Sequence, residues 1–357
     1  MSGRRLLTAG GLAVALAGVG ALALLGRGAG ESPAAFASAP AGSYAVVARS
    51  YGNSDVITVV GAPPSEIAIE VATVPHLPGF GIRGAVSPNG RFLALIVADG
   101  GTPSRPVAAL VMVDLMSGDE TRLGEGVDLL QDPLWTPASD AIVVTRSKSS
   151  SGNGSDVSIV RAALAGGEQE IERHEHVLAV APVGFDGSGA LLTVVLDARG
   201  STLTAAGNER GNLSGHITRD WALSPDGAQL AFVEANLDQG LRYLPRVVAI
   251  GGGGVAAMAA APLYDSGQAL GVAWDPARLT ARFGAEPGAA SGGVAAQGKA
   301  SGFDVPLGYS GSGAFLAVRH WSGSGFDAPG RAQLEIVDDH GRQALTGFTR
   351  FFGWAAR

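Results

Sequence analysis

The sequence predicts an all-β fold, a β-propeller of about seven, alternatively six, four-stranded blades closed by pairing of its N- and C-terminal strands. Three observations predict it. A short turn-and-strand phrase recurs along the chain, almost no run after residue 37 has helical periodicity, and one copy of the phrase is split between the chain ends. Self-similarity at a regular spacing is the signature of a repeat architecture and takes precedence over any single motif.

The clearest copies of the phrase are Val86-Ser87-Pro88-Asn89-Gly90-Arg91-Phe92-Leu93-Ala94 and Leu223-Ser224-Pro225-Asp226-Gly227-Ala228-Gln229-Leu230-Ala231. Worn copies start at Trp135 and Trp274, and residues 184–192 and 309–317 keep the turn but lose the proline. Proline presets φ and glycine accepts φ > 0, so Ser-Pro-Asn/Asp-Gly makes a tight turn. The apolar run that follows, such as Phe92 to Val97, starts a strand. A second hairpin often follows, as in Leu110–Asp114 to Leu123, Val157–Val160 to Ile171 and Leu334–Asp338 to Leu345. Each unit therefore holds about four strands.

Taking Ser87, Thr136, Phe185, Ser224, Asp275 and Ser310 as markers gives steps of 49, 49, 39, 51 and 35 residues. That spacing suits propeller blades. Residues 351–355 read as the strand before a turn that is missing. Residues 39–47 read as a turn and strand with nothing before them. A ring closed by pairing its last strand with its first needs that split, and closure removes the exposed sheet edge. The phase beginning at Trp274 is the weak one, because residues 284–301 are rich in Gly, Ala and Ser.

With these phrases, the aromatics Trp135, Trp274 and Tyr309 and the apolar strands after them, residues 39 to 355 resemble the TolB-type, WD40-like propeller family. The resemblance implies a propeller. It does not imply one activity, because the family spans periplasmic TolB, the propeller domains of prolyl-oligopeptidase-like peptidases and proteins of unknown role.

The 46% hydrophobic content and mean hydropathy of +0.23 describe a packed globular chain. The 54 glycines suit many tight turns. There is no cysteine, which excludes disulfides, thiolate metal sites and acylation at cysteine. Residues 1–37 read as a signal peptide or a single membrane anchor, and 38–357 as the propeller domain. Arg4-Arg5 precede an uncharged run from Leu6 to Leu25. Ala35-Phe36-Ala37 then has the small-x-small pattern of a signal-peptidase site. The run at residues 6–25 is also long enough to act as a membrane tether. In either case the propeller is expected outside the cytoplasm: periplasmic, secreted, or anchored to the outer face of the cytoplasmic membrane. Without residues 1–37, which hold Arg4, Arg5, Arg27 and Glu31, the net charge moves from −7 to −9. That acidity argues against a nucleic-acid partner.

The chemistry-bearing residues are few. No Gly-x-Ser-x-Gly elbow and no phosphate loop is present. Gly251 to Gly254 reads as a turn between strands, and Ser147 to Ser155 as a loop. His174-Glu175-His176 is the one histidine cluster. Strand alternation would put both imidazoles on one face, two ligands short of a closed zinc site, and the plainer reading is a solvated edge strand. Asp338-Asp339-His340-Gly341 reads as a hairpin turn. Trp135, Trp274 and Trp354 share one phase and read as blade-to-blade packing. Trp221 and Trp321 lie off that phase, and His320-Trp321 is the better candidate for a ligand-facing pair. The expectation is a monomeric, non-enzymatic interaction module that meets a protein or glycan at one rim. It has no catalytic, cofactor-binding or metal residue. The alternative is a hydrolase or lyase with its site at the central channel.

Overall fold

The computed structural model describes residues 33–149, 154–238, 240–251, 254–257, 269–285 and 302–357. Residues 1–32 of the export segment read at 1–37, and most of the weak stretch at 284–301, lie outside them. Pro33–Arg357 forms one compact unit.

Among the described residues there are six four-stranded antiparallel sheets, and the fold is a propeller of six such blades. The first blade is made of β1 (Ser43–Tyr51), β2 (Ser54–Gly61) and β3 (Ala68–Pro75), with β26 (Arg350–Ala356) as its innermost strand. The second holds β4 (Arg83–Val86), β5 (Phe92–Thr102), β6 (Arg105–Asp114) and β7 (Glu120–Glu125). The third holds β8 (Leu134–Trp135), β9 (Ala141–Ser149), β10 (Ser155–Ala163) and β11 (Glu168–Val177). The fourth holds β12 (Ala179–Phe185), β13 (Leu191–Asp197), β14 (Gly200–Ala205) and β15 (Asn208–Ser214). The fifth holds β16 (Ile217–Leu223), β17 (Gln229–Asn236), β18 (Arg242–Gly251) and β19 (Gly254–Ala257). A two-stranded hairpin, β20 (Ala269–Asp275) with β21 (Thr280–Ala285), occupies the weak sixth phase. The last blade holds β22 (Phe303–Tyr309), β23 (Leu316–Trp321), β24 (Ala332–Val337) and β25 (Arg342–Ala344).

The innermost strands neighbour one another in cyclic order, β26, β4, β8, β12, β16, β20, β22 and back to β26. The closure read from the split phrase is present. β1 pairs antiparallel with β26, with Ala45 opposite Trp354 and Tyr44 opposite Ala355.

Packing explains why the strands are apolar on both faces. In β1, Tyr44, Val46 and Ala48 enter the core shared with the second blade, while Ala45 and Val47 enter the core shared with the last blade. In β17, Leu230 and Phe232 pack toward the fourth blade, and Ala231 and Val233 toward the β20–β21 hairpin. Successive side chains point to opposite faces, so each inner strand feeds two seams at once.

The three in-phase tryptophans lie at those seams. The Trp135 indole donates to the Ala85 carbonyl at 2.8 Å, Trp274 to Ala222 at 2.7 Å and Trp354 to Gly308 at 3.0 Å. Each carbonyl belongs to the innermost strand of the preceding unit. The rings of Trp135 and Trp274 are buried and that of Trp354 half-buried, and each N–H finds a partner, as a buried tryptophan requires.

The turn phrase also folds as read. In the second blade the Ser87 hydroxyl donates to Asn89 Oδ1 (2.7 Å) and accepts from the Phe92 amide (2.9 Å). Ser224 repeats both contacts with Asp226 (2.6 Å) and Gln229 (2.9 Å). Ser310 accepts likewise from Phe315 N (3.1 Å). In the fourth blade Asp186, one residue after the expected marker, takes the first place, its amide bonded to Ala190 O at 3.0 Å. Gly90 and Gly227 have φ of 71° and 69°. A Cβ on Gly90 would lie 2.8 Å from Ala356 N, and one on Gly227 would lie 2.9 Å from Gly187 N. Each turn thus presses on the backbone of the unit before it.

Valine at either position combines left-handed strain with backbone overlap. Gly90→Val and Gly227→Val should each destabilise by roughly 1–3 kcal/mol or more. Denaturant titration measures it, and neutral substitutions would contradict the turn geometry.

Candidate functional site

The topology gives the ring two unlike faces. The Ser-Pro-Asn/Asp-Gly turns, which join first to second strands, lie on one face. Hairpins between second and third strands, and the connections from one unit to the next, lie on the other. For brevity these are the turn face and the connection face.

Eight large apolar residues are exposed among the described residues: Tyr51, Val107, Leu130, Leu178, Ile217, Leu237, Leu241 and Leu279. All but Leu279 lie at the connection face. Tyr51 ends β1, and Val107 follows the β5–β6 hairpin. Leu130 lies between β7 and β8, Leu178 between β11 and β12, and Ile217 opens β16. Leu237 and Leu241 lie in the β17–β18 hairpin. Leu130 is 79% and Leu237 66% exposed, so these side chains stand in water. From Leu130 to Leu241 they come from consecutive units, the third to the fifth blade. Leu279 sits in the β20–β21 turn on the turn face.

Charged groups line the inner end of the same face, and several of them pair. Arg83, first in β4, meets Asp132 at 3.3 Å across the seam to the third blade. Arg219 Nε donates to Asp220 Oδ2 at 3.0 Å, and that oxygen also accepts from Gly271 N at 3.0 Å, tying β16 to β20. Arg350, first in β26, approaches Asp55 of β2 at 3.8 Å, as does His76 Nε2. Asp55 is fully buried and also accepts from Ile82 N at 3.4 Å. Arg319 on β23 is half-buried. Burial lowers its pKa from the usual arginine value, and the positive charge of Arg350 acts in the same direction.

Of His320-Trp321, the better candidate for a ligand-facing pair, His320 is built inward and Trp321 is half-buried. His320 is buried, with Nδ1 2.8 Å from Asp304 Oδ1. Arg342 places Nη1 and Nη2 each 2.8 Å from the two Asp304 oxygens and Nε 2.6 Å from Glu335 Oε2. Burial opposes the Arg342 charge, but the hydrogen bonds to Asp304 and Glu335 outweigh it and raise its pKa. Trp321 stacks on Phe303 with centroids 6.5 Å apart. This network ties β22 to β23, β24 and β25, and breaking one partner would leave a buried charge uncompensated. The fifth blade holds a smaller version. Glu234 accepts from Arg246 Nη2 (3.0 Å), Asn236 (3.3 Å) and Ser214 (2.9 Å). Burial works against ionising Glu234, yet these bonds together hold its pKa below the ordinary glutamate value.

His174 and His176 do not form a ligand pair. His174 Nε2 lies 3.3 Å from the buried Glu172 carboxylate, which also accepts from Thr193 at 3.3 Å. A β-bulge interrupts β10–β11 pairing near this end, and His176 takes φ of 56° with its amide donating to Asp156 at 3.2 Å. Simple alternation therefore fails at His176. Beside His174 a shallow cleft of about 370 Å³ is lined by Arg173, Asp197, Arg199, Thr202 and Glu209. Among the described residues no group of three His, Cys, Asp or Glu is arranged to hold a metal ion. Asp338 caps its own turn, accepting from His340 N and Gly341 N at 2.8 Å each. Gly251 and Gly254 are the last paired residues of β18 and β19, with 252–253 outside the description. Of the loop read at Ser147 to Ser155, the ends join β9 and β10, and residues 150–153 fall outside.

These observations define a β-propeller with one apolar-rimmed face. Solved structures place it among known propellers. Prolyl oligopeptidase B from Galerina marginata superposes with a TM-score of 0.51 at 10% identity, over 87% of this chain and 52% of that enzyme, so the chain spans about half the enzyme's length. The β-propeller domain of the Trilobed protease from Pyrococcus furiosus gives 0.50 at 11% identity, over 86% and 97% of the two chains. That domain is described as having an open velcro topology, whereas β26 here closes on β1. TolB from Acinetobacter baumannii gives 0.48 at 13% identity, over 88% and 67%. At such identities the likeness is one of fold. No family model matches the sequence, and no curated protein matches it. No described helix is long and apolar enough to cross a membrane.

Because the folded-state pKa of Glu234 is depressed, its contribution to stability is present above the unfolded glutamate pKa, about 4.5. It is lost as pH falls through the lower folded value. Glu234→Gln should therefore flatten part of the fall in melting temperature on acidification below that pH. An identical acid limb in wild type and variant would contradict the assignment.

Proposed function

We propose that the chain is an extracytoplasmic, non-enzymatic interaction module that engages a protein partner through its connection face. One observation carries the reading: seven of the eight exposed large apolar residues among those described gather on that face. Isolated exposed leucines need no explanation, but a set gathered on one face marks an interaction surface. The chemistry favours protein over glycan. Leu130, Leu178, Ile217, Leu237 and Leu241 are aliphatic, and Tyr51 is the one aromatic in the set, whereas sugar rings are recognised by aromatic platforms and hydrogen-bond donors. Arg83 with Asp132 and Arg219 with Asp220 pair nearer the channel, which suits positioning of the units more than proton transfer. The export signal read at residues 1–37 supports placement outside the cytoplasm.

The test is cross-linking in the intact cell, with adducts identified by mass spectrometry. Wild type is compared with the double variant Leu178→Asp, Leu237→Asp. Both side chains stand in water, so the variant should keep its melting temperature within the small range of surface substitutions, about ±0.5 kcal/mol in stability. The expected result is a protein adduct present in wild type and lost in the variant. An adduct pattern unchanged by the substitutions would overturn the reading.

A further inference from the structure

The sequence around Ala35-Phe36-Ala37 reads as a signal-peptidase site, small residues flanking a large one. In the structure the same residues are part of the folded unit. Pro33–Ser38 forms a 3₁₀ turn, and Phe36 is completely buried. Its ring meets Tyr44 edge-to-face, with centroids 5.1 Å apart and planes at 80°. Both rings belong to the apolar cluster between the first and second blades, with Val46, Ile57, Val59 and Leu115.

Polar contacts fix the turn around the ring. Ala39 N donates to Phe36 O at 3.1 Å, and the Tyr44 hydroxyl donates to Pro40 O at 2.8 Å. The Arg357 guanidinium donates to Ala37 O. The Arg357 backbone exchanges two bonds with Gly42, each 3.0 Å. The turn is thus held by the strand pair that closes the ring. Removing a fully buried phenylalanine forfeits its apolar burial and leaves a cavity in that seam.

We propose that Pro33–Ser38 is an integral part of the propeller and that export processing leaves it in place, so that the exported protein retains Phe36. Chain cleaved after Ala37 would start with an unfilled seam beside its own closing strands. The turn at Ala37 passes close to Arg357, whose guanidinium donates to its carbonyl.

The turn packs against the end of β26 and the start of β1, and Arg357 also lies 3.8 Å from Met116 Sδ beyond β6. All of these lie on the turn face.

The test is determination of the N-terminus of the untagged protein recovered from an exporting host, by α-amine labelling and mass spectrometry. A terminal peptide that includes Phe36, wherever upstream it begins, is the expected result. A mature chain beginning beyond Phe36 would overturn the proposal. In the full chain Phe36→Ala should lower the melting temperature by several degrees, and an unchanged melting temperature would also overturn it. Neither readout depends on a partner, so failure here is distinct from failure of the binding reading.

Discussion

The pairing of β26 with β1 is the interaction on which the rest of the ring depends. A blade whose strands are apolar on both faces cannot leave either face in water. β1 shows the constraint residue by residue, with Tyr44, Val46 and Ala48 committed to one seam and Ala45 and Val47 to the other. Each seam needs a unit on its far side, and the series ends only when the last unit meets the first. The closing strand also carries Trp354, whose indole bonds back to Gly308 of the last blade. Arg350 at its start and Arg357 beyond its end tie it to Asp55 and to the turn holding Phe36. Without closure, two apolar sheet faces and an unpaired edge would be exposed at once.

Local signals in the sequence were easy to read, and relations across the ring were not. The turns were legible because proline, glycine and a short polar side chain act within four residues, and Gly90 and Gly227 take the φ that the phrase demands. The in-phase tryptophans were legible because phase is a sequence property. Their acceptors, Ala85, Ala222 and Gly308, were not, since a carbonyl about fifty residues away leaves no mark in composition. The surroundings of His320 were hidden for the same reason. Asp304 and Arg342, which bury it in a charge network, lie 16 and 22 positions away. His174 and His176 looked paired on an ideal strand, but a bulge broke the alternation. Phe36 was hidden because a processing motif and a tight turn draw on the same small residues.

The apolar rim could not be seen from sequence because its members come from different units, at positions with no common phase. Only the topology gathers Leu130, Leu178, Ile217, Leu237 and Leu241 on one face. The two faces then separate the work of the molecule. The turn face locks neighbouring units together through Asn89 N to Ser139 Oγ and the backbone approaches at Gly90 and Gly227. The connection face carries the exposed aliphatic side chains beside the seam contacts of Arg83 and Asp220.

Closure is the claim on which both faces rest, and deletion of residues 350–357 tests it directly by thermal melting. The deletion removes β26 and leaves every other strand in place. A closed ring predicts a sharp fall in melting temperature, because two seams lose their inner strand together with the Trp354 bond. A melting temperature equal to that of the full chain would contradict the account.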